Sequence, residues 1–156
     1  MDIPFDLSLI VASFLIKPRM KLLDWIPEDK LNWKYLSANP NAIHMLEKHP
    51  EKMNWSTLSY NSNAMHILEN NLDKINWNCL SVNSNAIHLL TKNFDKIQWA
   101  WLNCNPNAMH ILEKYHMNPH VVKYWEYLSA NPSIFEIDTE QMKIKLMKKA
   151  KNIDYV

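Results

Sequence analysis

Apolar side chains are spaced along this chain as they are on short amphipathic helices. In the clearest stretch they fall three and four positions apart, which places them on one face of a helix. These residues are Ala42, Ile43, Met45 and Leu46. Asn39 precedes them as a candidate N-cap, and Pro40 follows at a position where its missing N–H costs no hydrogen bond. The pattern predicts a helix that ends near Pro50.

The same stretch returns along the chain at a fixed interval. Trp33, Trp55, Trp77 and Trp99 lie 22 residues apart, and Trp125 follows after 26. The copies between them begin WKYLSANPNAIHMLEK, WSTLSYNSNAMHILEN, WNCLSVNSNAIHLLTK and WAWLNCNPNAMHILEK. The fourth copy carries a four-residue insertion, a fifth copy decays after WEYLSANPSIFEID, and residues 25–32 look like the tail of a degenerate copy. Tandem self-similarity of this kind is the signature of a repeat architecture.

Each copy predicts two short helices. The helix described above is expected to stop at Asn71 in the second copy, because asparagine is the best substitute for glycine in a left-handed C-cap. The next helix is expected to start near Asp73 and to direct Ile75, Trp77 and Leu80 inward. Helices this short are only marginally stable in isolation, so that stacked neighbouring repeats must supply the hydrophobic core.

We therefore predict an all-α fold: a short right-handed solenoid of about five 22-residue helix–turn–helix repeats with terminal helical caps. The whole chain, residues 1–156, is expected to form a single domain. Within it we predict an N-terminal cap over residues 1–24, tandem repeats over residues 25–138 and a C-terminal capping helix over residues 139–156. A leucine-rich repeat has a similar length, but the repeats contain no Leu-x-Leu strand pattern.

Composition narrows the functional classes. The 156 residues include no glycine, which excludes a Walker loop and a dinucleotide fingerprint. The net charge of +1 gives no general attraction to nucleic acid or anionic lipid. Two cysteines are too few for a zinc knuckle or a disulfide scaffold, and no apolar run approaches the ~18 residues of a membrane span. We therefore expect that the protein is not an enzyme, that it binds no cofactor and no nucleic acid, and that it does not associate with a membrane. We also expect it to reside in a reducing intracellular compartment.

Residues that recur in every copy are predicted to build the scaffold, because stacking needs the same part at each step. The tryptophans and a leucine column are predicted to be core. That column is Leu36, Leu58, Leu80, Leu102 and Leu128. An asparagine column is predicted to cap helices and to hydrogen-bond along the array. It is Asn39, Asn61, Asn83, Asn105 and Asn131.

A histidine also recurs once per copy. The column is His44, His66, His88 and His110. Stacked helices lie about 10 Å apart, too far for one histidine per copy to share a metal ion. Structural hydrogen bonding is the favoured interpretation, with metal binding or pH sensing as the alternative.

Positions that vary between copies are where a binding function would be encoded. Two residues after each tryptophan, and three further on, side chains share one helix face. We call these positions the ladder, and its candidate partner-binding residues are Tyr35, Thr57, Tyr60, Cys79, Val82, Trp101, Cys104 and Tyr127. An exposed ladder would bind protein, with Tyr60 and Trp101 as anchors. Alternatively these side chains pack between stacked helices, and the sequence leaves both interpretations open.

The N-terminal segment does not repeat. It has a proline near its start and a Phe-Leu pair near its end, followed by a short turn and Leu-Leu. It resembles the first half of an F-box through Ile3, Pro4, Leu7, Ile10, Phe14 and Leu15. In that family the segment docks on a Skp-type adaptor of a cullin ubiquitin ligase, which would leave the repeats to hold a substrate. The resemblance ends near residue 25 and lacks the downstream Val-Cys-x-x-Trp pattern. A hydrophobic cap on the open end of the solenoid is the alternative, and one segment could serve both roles.

The C-terminal segment begins with a candidate capping box at Asp138 and continues as a lysine-rich helix. Such a helix can bind acidic partners or membrane surfaces, but a terminal cap with lysines in its last turns is the favoured interpretation.

The full repeat, W-x-x-L-S-x-N-P-N-A-I-H-x-L-E-K, resembles repeat proteins of giant DNA viruses of amoebae and algae, and so do residues 21–27 and 134–138. The resemblance covers about residues 20–150 and implies a viral origin, in keeping with abundant Asn, Lys and Ile and a single arginine, Arg19. It implies no known activity. We predict a monomeric, non-enzymatic protein-interaction scaffold in the host cytoplasm, with recruitment of an unknown host target to a ubiquitin ligase as the favoured role. A structural or virion-associated protein is the alternative.

Overall fold

The computed structural model describes residues 20–118 and 123–151, with side chains as far as residue 147 at the C-terminal end. Within these ranges the chain is helical and contains no strand, which excludes a leucine-rich repeat there. The α-helices are α1 (Trp33–Ala38), α2 (Ile43–Lys48), α3 (Trp55–Tyr60), α4 (Met65–Glu69), α5 (Trp77–Val82), α6 (Ile87–Lys92), α7 (Trp99–Leu102), α8 (Met109–Lys114), α9 (Trp125–Leu128) and α10 (Thr139–Lys151). Single 3₁₀ turns lie at Glu28–Lys30, Pro40–Ala42, Pro50–Lys52, Leu72–Lys74, Phe94–Lys96 and Pro132–Ile134.

The first helices of successive repeats stack on one another. Helix α1 packs on α3, α3 on α5, and α5 on α7. The second helices approach one another less closely, since none of their pairs packs to the same extent. This sequential packing of neighbours confirms the predicted helical-repeat solenoid.

The first helix of each repeat begins later than predicted. The residues around Asp73 form a 3₁₀ turn, and Ile75 then adopts an extended conformation with φ −68° and ψ 130°. Helix α5 starts at Trp77, because the side chain of Asn76 accepts hydrogen bonds from the N–H groups of Asn78 and Cys79. The N-cap is therefore the residue before the tryptophan rather than the aspartate.

The end of the second helix also differs from the prediction. Asn71 has φ −142°, and no described residue has a positive φ. Instead of a left-handed turn, the Asn71 side-chain amide donates to the Ile67 carbonyl at 2.9 Å, and Asn93 does the same to Leu89. The side chain thus satisfies a terminal carbonyl that a left-handed residue would otherwise satisfy through its backbone.

The core is a double row of leucines. Leu58, Leu80 and Leu102 of the first helices are fully buried, and Leu46, Leu68 and Leu90 of the second helices match them. Leu36 and Leu128 are half-buried, because each lies at an end of the stack. The predicted leucine core is therefore confirmed in the middle of the array.

The tryptophans lie at the margin of the core rather than inside it. Trp33, Trp55, Trp77 and Trp99 are partly buried against the core, and Trp125 is 63% exposed. On the outer side, Lys52 Nζ lies 4.5 Å from the centroid of the Trp33 ring. The prediction of a tryptophan core column was therefore wrong in one respect. As the first residue of its helix, each tryptophan lies beside the core and not within it.

The remaining predictions concern the two ends of the chain. Asp138 Oδ1 accepts a hydrogen bond from the Gln141 N–H at 2.9 Å, which confirms the N-cap of α10. The described side chains of α10 are exposed, so that its capping role stays a prediction. The F-box-like residues Ile3, Pro4, Leu7, Ile10, Phe14 and Leu15 lie outside the described residues. In the described part of the chain, no helix has the length and apolar character needed to cross a bilayer.

Candidate protein-binding surface

The asparagine column joins each repeat to the one before it. The amide of Asn83 donates to the carbonyls of Ser59 and Asn61, both at 3.1 Å, while its Oδ1 accepts from the Asn85 N–H at 3.0 Å. The amides of Asn61, Asn105 and Asn131 likewise donate to two carbonyls of the preceding repeat, and all four side chains are buried. The column therefore both caps the local turn and links the array, as predicted.

A serine column that was not predicted from the sequence fixes the same junction. Ser59 Oγ donates to the Trp55 carbonyl at 2.7 Å and accepts from the Asn76 N–H of the next repeat at 3.0 Å. Ser37 and Ser81 are arranged in the same way. The recurring Leu-Ser pair was the available signal. No buried side-chain nitrogen or oxygen in the described residues lacks a partner.

The histidine column makes contacts between neighbouring repeats. His66 Nε2 donates to Glu47 Oε1 at 2.9 Å, and His88 contacts Glu69 in the same way. These pairs support the structural interpretation for the two residues. The described residues contain no group of three metal-ligating side chains.

The ladder residues differ in exposure. Tyr35, Tyr60 and Trp101 are exposed, at 72%, 56% and 44%. The others are half-buried: Thr57, Cys79, Val82, Cys104 and Tyr127. Thr57 Oγ1 donates to the Lys34 carbonyl at 2.7 Å, which ties neighbouring helices together. Part of the ladder is therefore exposed, and part of it packs between stacked helices.

Five ladder residues converge on one groove of about 260 Å³, which we call the ladder groove. They are Tyr60, Cys79, Val82, Trp101 and Cys104, and the exposed Asn78 joins them. Tyr60 comes from α3 and Trp101 from α7, whereas the small side chains of Cys79 and Val82 come from α5, which lies between. The groove exists because small ladder residues alternate with large ones. Tyr35, Thr57 and Tyr127 do not line it.

A second depression, of about 440 Å³, adjoins Trp101, and we call it the aromatic depression. Its lining includes Asn78, Phe94, Trp99, Trp101, Tyr115 and Tyr124. Trp101 also contacts the Tyr127 ring, with the centroids 6.1 Å apart. Tyr115 and Tyr124 were not predicted from the sequence. Their position beside the four-residue insertion was the only signal.

The surface carries little charge. Helices α3, α5 and α7 contain no Asp, Glu, Lys or Arg. Burial raises the pKa of the Cys104 thiol, which keeps this group neutral at neutral pH. The thiol donates a long hydrogen bond to the Tyr127 carbonyl, with a distance of 3.7 Å. The surface can therefore recognise a partner through apolar and aromatic contacts more than through ion pairs.

Fold and surface together define a helical-repeat solenoid with an aromatic groove on its first helices. The chain matches no protein-family model, no curated protein and no solved structure.

Proposed function

We propose that this protein is a non-enzymatic interaction scaffold that binds a protein partner across the ladder groove. The observation that carries the proposal is the exposure of Tyr60 and Trp101 on either side of the recess formed by Cys79 and Val82. Aromatic residues beside a small apolar recess are the typical anchors of protein interfaces.

The frame beneath the groove supports this function. Asn83 and Asn105 hold the turns after α5 and α7 through buried hydrogen bonds to the preceding repeat. A surface on rigid helices loses less conformational entropy on binding than a surface on loops. The side chains that vary between repeats are thus presented by residues that do not vary.

A random-peptide library displayed on phage tests the proposal. We expect enrichment of peptides that bind the full chain and lose binding to the Tyr60→Ala, Trp101→Ala double variant. Tyr35→Ala is the matched control, because Tyr35 is an exposed ladder residue outside the groove. Circular dichroism checks that the variants fold. Enrichment of no peptide, or only of peptides that bind the folded double variant equally well, would contradict the proposal.

We further propose that the scaffold serves a giant virus in the host cytoplasm as a substrate-recruiting adaptor. Support comes from the repeat motif and from the F-box-like residues Pro4 and Leu7. In affinity purification from host cells, the wild-type chain should capture a Skp-type adaptor and a cullin. A folded Pro4→Ala, Leu7→Asp variant should not. Absence of both proteins from the wild-type sample would favour the structural or virion-associated alternative, in which the segment only caps the solenoid.

A further inference from the structure

Trp101 forms a ridge between two depressions. It lines both the ladder groove of about 260 Å³ and the aromatic depression of about 440 Å³, and Asn78 is the other residue that the two share. Its side chain is 44% exposed and is therefore accessible along the boundary that the two depressions share. A ligand that fills both must cross this ridge.

The chemistry of the side chains at this ridge favours a proline-rich peptide segment as the ligand. Indole and phenol rings offer flat apolar faces for proline rings, and Asn78 and the Trp101 N–H are hydrogen-bond donors. A polyproline II helix has no internal hydrogen bonds, so that its carbonyls remain free to accept from such donors. Aromatic-lined grooves are the general mode by which proteins bind this conformation.

The repeat spacing matches this conformation. A polyproline II helix turns every three residues and rises about 9.3 Å per turn. Stacked helices lie about 8–10 Å apart, so that successive first helices meet equivalent faces of the ligand. An amphipathic α-helix instead needs one continuous apolar groove, which the Trp101 ridge interrupts.

Charge indicates where an acidic residue of the ligand lies. Lys123 is the only charged side chain among the described residues that line the aromatic depression, and α3, α5 and α7 carry none. Lys123 Nζ lies 5.0 Å from the centroid of the Tyr124 ring, at the edge of the site. The ligand is therefore expected to be uncharged over the ridge and acidic at the end that reaches Lys123.

We propose that the ladder groove and the aromatic depression together bind a proline-rich segment in the polyproline II conformation, with an acidic residue beside Lys123. This inference rests on the proposed scaffold function, since it names the chemistry of the partner at the same surface.

Fluorescence anisotropy with labelled peptides and the full chain provides the test. The probe is a proline-rich peptide of about ten residues, ~30 Å long when extended as polyproline II, with an acidic C-terminal or N-terminal residue. Comparison peptides replace alternate prolines by glycine, replace the acidic residue by lysine, or form an amphipathic α-helix. We expect Trp101→Ala to weaken binding of the proline-rich probe about 30-fold, as for an interface hot spot. Tyr35→Ala should leave it unchanged.

Two milder variants keep the test informative if Trp101→Ala fails to fold. Asn78→Ala should weaken the proline-rich probe, and Lys123→Glu should reverse the preference from the acidic to the lysine peptide. Equal binding of the glycine-interrupted peptide, tighter binding of the helical peptide, or no binding of any peptide would overturn the inference. The scaffold function would fail separately, if the random library gave no peptide whose binding depends on Tyr60 and Trp101.

Discussion

The side-chain amide of Asn105 donates to the backbone carbonyl of Asn83, one repeat earlier, at an N···O distance of 2.9 Å. Asn83 makes the same contact to Asn61 at 3.1 Å. Each step of the solenoid is therefore fixed by a buried side chain that supplies the donors for two carbonyls of its neighbour. Because these carbonyls are inaccessible to water, loss of a donor leaves them unsatisfied.

Replacement of Asn83 by alanine should strongly destabilise the chain. The change removes two donors and one acceptor from a buried junction. We expect the free energy of unfolding, measured in urea, to fall by about 2–4 kcal/mol. Asn85→Ala is the control, because the Asn85 amide donates to a single exposed carbonyl, that of Ser62. An equal effect of the two substitutions would contradict the role given to the buried column.

Replacement of Ser59 by alanine should cost about 1–3 kcal/mol of unfolding free energy. The Ser59 hydroxyl accepts from the partly buried N–H of Asn76 in the next repeat. Ser129→Ala is matched in sequence but not in environment: Ser129 Oγ donates to the Trp125 carbonyl at 2.8 Å and is exposed. We expect its loss to cost under ~1 kcal/mol in the same urea titration. If both variants lose the same stability, the hydroxyl acts only within its own helix.

Lys74 and Trp55 should show favourable coupling. Lys74 Nζ lies 4.6 Å from the centroid of the Trp55 ring. A double-mutant cycle with Lys74→Gln and Trp55→Leu should give a coupling free energy of about 0.5–1 kcal/mol at low salt. Lys92→Gln serves as the control, because Lys92 is an exposed lysine on α6. A coupling energy within error of zero would show that the lysine only covers the ring.

The Cys104 thiol should react at a higher pH in the folded chain than in the unfolded one. Burial raises the pKa of this thiol, so that less thiolate is present at a given pH. We expect the midpoint of its alkylation rate, followed by mass spectrometry, to lie above the midpoint measured in urea. Since the folded pKa is the higher one, Cys104 also makes folding less favourable as the pH rises above the unfolded pKa. Identical midpoints in the two states would contradict this.

The free energy lost when a core leucine is truncated should depend on the position of that leucine in the array. Leu80→Ala removes a fully buried side chain and should cost about 2–5 kcal/mol, whereas Leu128→Ala at the end of the stack should cost less. Urea unfolding of both variants measures the difference. An equal or larger loss for Leu128→Ala would mean that the C-terminal repeat is at least as tightly packed as the centre.

Some predictions failed where two local signals competed. Asp73 was expected to start a helix, but Asn76 lies closer to the tryptophan and caps α5 instead. Asn71 was expected to adopt a left-handed conformation, but its side chain reaches the Ile67 carbonyl without it. In both cases the residue type was informative, whereas its hydrogen-bond partner depended on the exact path of the backbone.

The sequence by itself determined the repeat, its length, the two helices per copy and the asparagine and leucine columns. A 22-residue period, broken once by a four-residue insertion, exposes these features, because any residue needed at every junction must recur in every copy. The tertiary structure decided which ladder positions are exposed. Sequence shows that Tyr60, Cys79 and Trp101 occupy ladder positions of successive first helices, but only stacking places the small side chains of α5 between the large ones of α3 and α7. A groove forms where small side chains lie between large ones on neighbouring helices, and this arrangement arises only when the helices pack.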